Sequence, residues 1–279
     1  MTNSFLKLRD WVPLDKLNWD ELSRNSAAIY LLEQNPDKIA WFWVALNPAA
    51  IHLLQQNPDK INWYCLSENP SAIHLLEQNE DKIAWFGLSR NSAAIHLLEQ
   101  NEDKINWTNL SCNPAAIHLL EQNPDKINWD CLSKNPTAIH LLDQNLDKIN
   151  WFVLSTNPKA IHILEQNPNK IKWSALSENP AAIHLISKAL EQNPDKINWK
   201  LLSENPAAIH LLEQNQDKIN WDWLSGNPAI FTYDYNKIKE HMEITGIKDE
   251  LIAYYYRPEN IHKFVERGDL LEDFNTRWN

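Results

Sequence analysis

Asn-Pro-Ala-Ala-Ile-His-Leu-Leu-Glu-Gln-Asn-Pro-Asp-Lys-Ile-Asn-Trp runs from Asn113 to Trp129 and returns, nearly letter for letter, along most of the chain. The tryptophans that close it stand at Trp19, Trp41, Trp63, Trp85, Trp107, Trp129, Trp151 and Trp173, one every 22 residues. After a longer step to Trp199 the spacing resumes at Trp221. A fixed period of this length means stacked supersecondary units, each too small to bury its own apolar face.

Working outward from that stretch, asparagine marks every junction between Asn25 and Asn227, and proline follows most of them. Proline favours the first helical position and pushes the residue before it into extended geometry. An asparagine side chain there can accept from a free N–H of the first turn, for about 1 kcal/mol. All the junction asparagines therefore read as N-caps. Between them the sequence predicts two short helices per unit, Pro114 to Gln122 and Pro124 to Ser133 in the central copy. Ala116, Leu119 and Leu120 share one face of the first helix at helical spacing. On the second, Ile127 with Cys131 and Trp129 with Leu132 form the buried side. Helices so short need neighbours to persist.

The expected fold is an all-α solenoid of short two-helix repeats with a degenerate N-terminal cap and a helical C-terminal cap. Residues 1–24 form the N-terminal half-repeat, in which Pro13-Leu14-Asp15-Lys16-Leu17-Asn18-Trp19 echoes Pro58 to Trp63. The tandem repeats occupy 25–226, and Ser187-Lys188-Ala189-Leu190 is a four-residue insert that adds about one helical turn. The aromatic-rich tail is 227–279, with helices expected near 234–245, 247–256, 258–267 and 269–275. An untwisted stack of such layers would be of order 80–100 Å long.

Composition narrows the function. The chain has 279 residues, 14 Trp, 4 Gly and a net charge of −11. That acidity opposes nucleic acid and anionic membranes, which call for a basic face. Cys65, Cys112 and Cys131 suit free thiols in a reducing compartment. No run is long and apolar enough to span a membrane.

Several ladders invite a site. The histidines His52, His74, His96, His118, His140, His162, His184 and His210 recur too far apart, at about 8–10 Å per layer, for neighbouring rungs to share one metal. They read as a polar edge. The ladder Trp41, Trp63, Trp85, Trp107, Trp129, Trp151, Trp173, Trp199 and Trp221 reads as core, each ring burying up to about 150–250 Å². Lys38 through Lys218 recur beside Asp, except at Asn169-Lys170, and read as a nearly neutral solvated face. In the tail, Asp234, Glu240, His241, Glu243 and His262 have no catalytic spacing. No enzyme, metal or cofactor is expected.

The two positions after each Trp vary most between units. They carry Phe42, Trp43, Tyr64, Phe86, Phe152 and Trp223, and aromatics are enriched at interfaces. This row is the candidate protein interface.

The unit Leu202-Ser203-Glu204-Asn205-Pro206-Ala207-Ala208-Ile209-His210-Leu211-Leu212-Glu213-Gln214-Asn215, followed by Asp217-Lys218-Ile219-Asn220-Trp221, resembles the tryptophan-containing 22-residue repeat proteins encoded by giant DNA viruses. The ending Asn227-Pro228-Ala229-Ile230-Phe231 with Tyr233-Asp234-Tyr235 is similar to that family's C-terminal signature. Tyr30 in place of the first histidine, Val44-Ala45-Leu46 in place of Leu-Ser-Glu and the insert at 187–190 depart from it. The resemblance implies a viral, helical, non-catalytic repeat protein in the host cytoplasm. The function expected is a scaffold for another protein, host or viral. The alternative is a structural or virion-associated protein that self-assembles into a homo-oligomer through its tail.

Overall fold

The structure, a computed structural model, describes residues 5–246. It is the all-α repeat array that the period implies. The chain divides into two compact units, Leu8–Phe231 and a smaller one from Met1–Lys7 with Thr232–Asn279. Leu6–Leu8 and Phe231–Tyr233 pair as a two-stranded sheet. Bonds at its ends, Arg9 N to Ile230 O and Asp234 N to Phe5 O, make it antiparallel. Asp234 caps the helix Tyr235–Thr245, which stops at Gly246 in the left-handed region (φ 72°), as the tail reading expected. The helices expected beyond 246 lie outside the described residues.

In a typical unit of the larger body one helix starts at Ile and carries the histidine, as in Ile117–Gln122, with Tyr30 in its place in Ile29–Glu33. A single 3-10 turn follows, Pro124–Lys126, and then a helix that starts at the tryptophan, Trp129–Lys134. The second expected helix is thus cut in two. Ile127 and Asn128 are both extended, and the Asn128 side chain accepts from Cys131 N at the new helix start. Asn18, Asn62, Asn106, Asn150, Asn198 and Asn220 cap the same way, a set of caps that the sequence reading missed.

The fully buried core is Ala, Leu and Leu, as in Ala116, Leu120 and Leu132, all 0% exposed. Of the buried pairs expected on the second helix, only Leu132 is fully inside; Ile127, Trp129 and Cys131 are half-buried.

The junction asparagines do two jobs, which corrects their uniform reading as N-caps. Asn25, Asn47, Asn69, Asn91, Asn113, Asn135, Asn157, Asn179, Asn205 and Asn227 are buried. Asn113 accepts from Ala115 N (3.0 Å), and its amide donates to Ser89 O and Asn91 O of the preceding unit (3.1 Å each). The alternate set, such as Asn123, makes no N-cap bond and instead donates to the carbonyl four residues back, Leu119 O at 2.9 Å. These close the preceding helix.

Serine supplies a second seam. Ser111 Oγ donates to Trp107 O (2.8 Å) and accepts from Asn128 N of the next unit (3.0 Å). The same bridge recurs around the array except at Ala45, which has no hydroxyl to offer Asn62 N–H.

These seams do not end at the last repeat. Ser225 Oγ accepts from Asn18 N at 2.8 Å, and Asn25 Nδ2 donates to Ser225 O at 3.0 Å. Lys16 lies over Trp221, and the helix Trp221–Ser225 packs on Trp19–Arg24. The 3-10 turn Pro228–Ile230 likewise packs on both Pro206–Ala208 and Ser26–Ala28. The head-to-tail contacts match those between successive repeats, so the array is a closed ring of ten positions. The tenth unit is assembled from both ends of the body: Asn227 onward gives its first half, and the half-repeat at 13–24 gives its second. The expected open stack, capped separately at each end, is therefore corrected. Ten equal steps close a circle when each turns through about 36°, within the small rotation that repeat arrays accumulate.

Candidate functional site

On the helix Trp63–Glu68, Cys65, Leu66 and Ser67 are buried. At about 100° per residue, the positions one, two and five after each Trp turn away from Leu66 and Ser67, although the second is packed in at Cys65, Gly87, Asn109 and Ala175. The tryptophan helices pack directly on one another around the ring, more closely than the histidine helices do, so they form its inner circle. Their far face is the ring's inner face. Axes about 8–10 Å apart around ten positions lie about 13–16 Å from the centre. Subtracting a helix radius of about 5–6 Å leaves a passage about 15–20 Å across.

All six candidate interface residues start these inner helices. Phe42, Tyr64, Phe86 and Phe152 are 49%, 49%, 48% and 52% exposed. The first three stand on consecutive repeats and so lie along one arc; Phe152 stands apart from it. Tyr64 and Phe86 stack across their units at 6.1 Å and 18°. Phe42 meets Trp43 edge-on at 4.9 Å. Trp43 and Trp223 are half-buried, with Arg24 (5.2 Å) and Lys200 (4.9 Å) over their rings.

The same face carries seven acids, Asp20, Glu21, Glu68, Asp130, Glu178, Glu204 and Asp222, against four bases, Arg24, Arg90, Lys134 and Lys200. Glu204 shows that these side chains share one interior. Burial raises its pKa above the usual carboxylate range, and the charges acting on it come from Glu178, Arg24, Glu21 and Lys134, on three other units.

Cys112 and Cys131, on adjacent units, also meet here, with Cys112 Sγ 3.5 Å from Cys131 O. Burial, and then the hydrogen bond with Cys112, push the Cys131 thiol up to about 11. Cys65 is buried and its thiol is raised, again first by burial.

The tryptophan ladder is not the core, and the lysines beside it are more than a solvated face. No Trp of the ladder is fully buried. Lys126 Nζ of one unit lies 4.3 Å from the Trp107 ring centre of the unit before. Equivalent pairs recur from Lys38 over Trp19 to Lys218 over Trp199, Lys170 and Trp151 excepted, and Lys16 over Trp221 carries the ladder across the closure. An ammonium over an indole face contributes about 0.5–1 kcal/mol at exposed sites. Trp11, next to Trp221 at 6.5 Å, is outside this pattern, and its buried Nε1 has no hydrogen-bond partner.

The histidines also link units. His118 Nε2 lies 2.9 Å from Glu99 and His140 Nε2 2.8 Å from Glu121, all of them exposed. The fold thus sets a glutamate of the preceding unit beside each of these histidines. Two donors fall short of the three or four that hold zinc, and no cluster of three metal-ligating side chains occurs among the described residues.

In the tail, His241 tilts on Phe5 at 5.1 Å, while His262 lies outside the described residues. Among the described residues no helix is long and apolar enough to cross a membrane. No protein family, curated protein or solved structure matches the chain.

Proposed function

We propose that this protein is a non-enzymatic scaffold whose ring holds a segment of another protein against the aromatic arc of its inner face. The observation that carries the reading is the arc itself. Phe42, Tyr64 and Phe86, each about half exposed, lie on three consecutive units of an otherwise regular frame. Constant residues build the ring, and the varied positions face one shared interior. Aromatics so placed are the residue types that dominate binding energy at interfaces. The resemblance to giant-virus repeat proteins adds the setting to the proposal, the cytoplasm of an infected host cell.

The test is affinity capture from the producing cell with wild type and with Phe42→Ser, Trp43→Ser, Tyr64→Ser and Phe86→Ser combined, after matching their melting curves. A partner held by wild type and released by the folded variant supports the scaffold. A partner held equally by both refutes it.

A second reading, self-assembly through the tail, is favoured by Tyr233, Tyr235 and Ile244, which are 55%, 65% and 77% exposed. Truncation at 226 would remove half of the tenth unit, so the test is by substitution. Concentration-dependent light scattering that disappears in the combined Tyr233→Ser, Tyr235→Ser, Ile244→Ser variant selects this reading, and a wild type that stays monomeric refutes it.

A further inference from the structure

The inner face is acidic and aromatic together, and the combination selects a class of partner. The ring's own cations already choose aromatic faces here, with Arg24 over Trp43 and Lys200 over Trp223. The stacked Tyr64–Phe86 pair has no cation over it among the described residues, although its rings are about half exposed. Resting on the scaffold reading above, we propose that the passage takes a lysine- or arginine-rich extended segment of a partner protein. Its cations divide between the Tyr64–Phe86 pair and the carboxylates Glu21, Glu178 and Glu204.

Three features favour this occupant. A passage about 15–20 Å across admits an extended chain or a single helix, about 10–12 Å wide, but not a folded domain. Acids outnumber bases on the face, so a cationic segment is attracted into it and an anionic one is repelled. Glu204 sits half-buried near Glu178 and Glu21, with Arg24 and Lys134 also acting on it and Glu21 paired to Arg24 at 3.1 Å; burial and the like charges still outweigh these cations, and a partner cation there offsets the remaining repulsion. The Tyr and Phe faces add cation–π attraction to arginine or lysine.

The probe is fluorescein-labelled nona-arginine, compared with nona-glutamate and a neutral Gly-Ser peptide of equal length, titrated by anisotropy against the full chain at 0.15 M salt. The expected result is saturable one-to-one binding of nona-arginine alone. Tyr64→Ser with Phe86→Ser, and Glu178→Gln with Glu204→Gln, should each weaken it about tenfold or more, which corresponds to 1.4 kcal/mol. Tyr64→Phe should retain it, which separates loss of the ring face from loss of the fold. Asp59→Asn with Asp81→Asn, on the 3-10 turns, should leave it unchanged.

Nona-arginine bound no better than the neutral peptide overturns the proposal. So does equal weakening by the Asp59 and Asp81 changes, or indifference to the Tyr64 and Phe86 changes. If capture of a cellular partner still depends on the arc when nona-arginine fails, the scaffold reading stands and the basic segment falls.

Discussion

Asn113→Ala measures what the buried asparagine ladder contributes. Asn113 is 0% exposed, and its side chain satisfies three backbone groups: Ser89 O, Asn91 O and Ala115 N. Alanine leaves two buried carbonyls and one partly buried N–H without that partner. Asn91 O keeps its bond from Ala94 N, so two groups are orphaned; at about 1–3 kcal/mol each the lower bound is about 2 kcal/mol. An N-cap alone would cost about 1 kcal/mol. Asn123→Ala is the internal comparison, since it removes one partly exposed bond to Leu119 O and should cost about 1 kcal/mol or less. The assay is urea unfolding followed by tryptophan fluorescence and circular dichroism together. Coincident transitions with an unchanged slope license the comparison. Equal losses of about 1 kcal/mol at both positions would refute the ladder and return Asn113 to a simple cap.

Ala45→Ser should stabilise by about 0.5–1.5 kcal/mol, because it supplies the one hydroxyl bridge missing from the ring, to Asn62 N and Trp41 O; a lower melting temperature would contradict it. Burial and the neighbouring carboxylates raise the pKa of Glu204 in the folded state, so the fold binds this proton more tightly than the unfolded chain does. Its contribution to stability therefore falls as pH rises from the usual carboxylate range through the raised value. Glu204→Gln should be more stable than wild type at pH 7, with the gap closing toward pH 4; a gap independent of pH would contradict this. With its thiol pushed up to about 11, Cys131 should react with an aromatic disulfide reagent only slowly at neutral pH, the rate rising about tenfold per pH unit. Rapid labelling at pH 7 would contradict that.

The period, the helical class and the Ala-Leu-Leu core were legible because they depend on local spacing that each unit repeats. The break at Ile127-Asn128 was not, because the run from Pro124 to Ser133 keeps a helix-compatible pattern while Asn128 recruits the N–H groups of a fresh start. Nor could residue type separate Asn113 from Asn123. Only the stacked neighbour decides whether the amide donates across units or back along its own helix. Tryptophan was read as core from its size, but a lysine from the next unit covers its exposed face, and that contact spans 19 residues. Ring closure was the least visible feature, since it comes from a small rotation summed over ten steps. Its one trace in the sequence is that Pro13 to Trp19 and Asn227 to Phe231 are complementary halves of a single unit. The candidate interface row was legible as the variable row, though not as the lining of an enclosed face.

The closed ring is tested most directly by the distance between spin labels at Asp20→Cys and Asp222→Cys, two exposed inner-face positions on opposite sides of the closure, after Cys65→Ala, Cys112→Ser and Cys131→Ala remove the native thiols. Adjacent helices about 8–10 Å apart predict a single short distance, below about 25 Å with the label arms, independent of protein concentration. An open stack of the same units would separate the labels by about 70 Å or more. That long distance in the folded protein would contradict the ring.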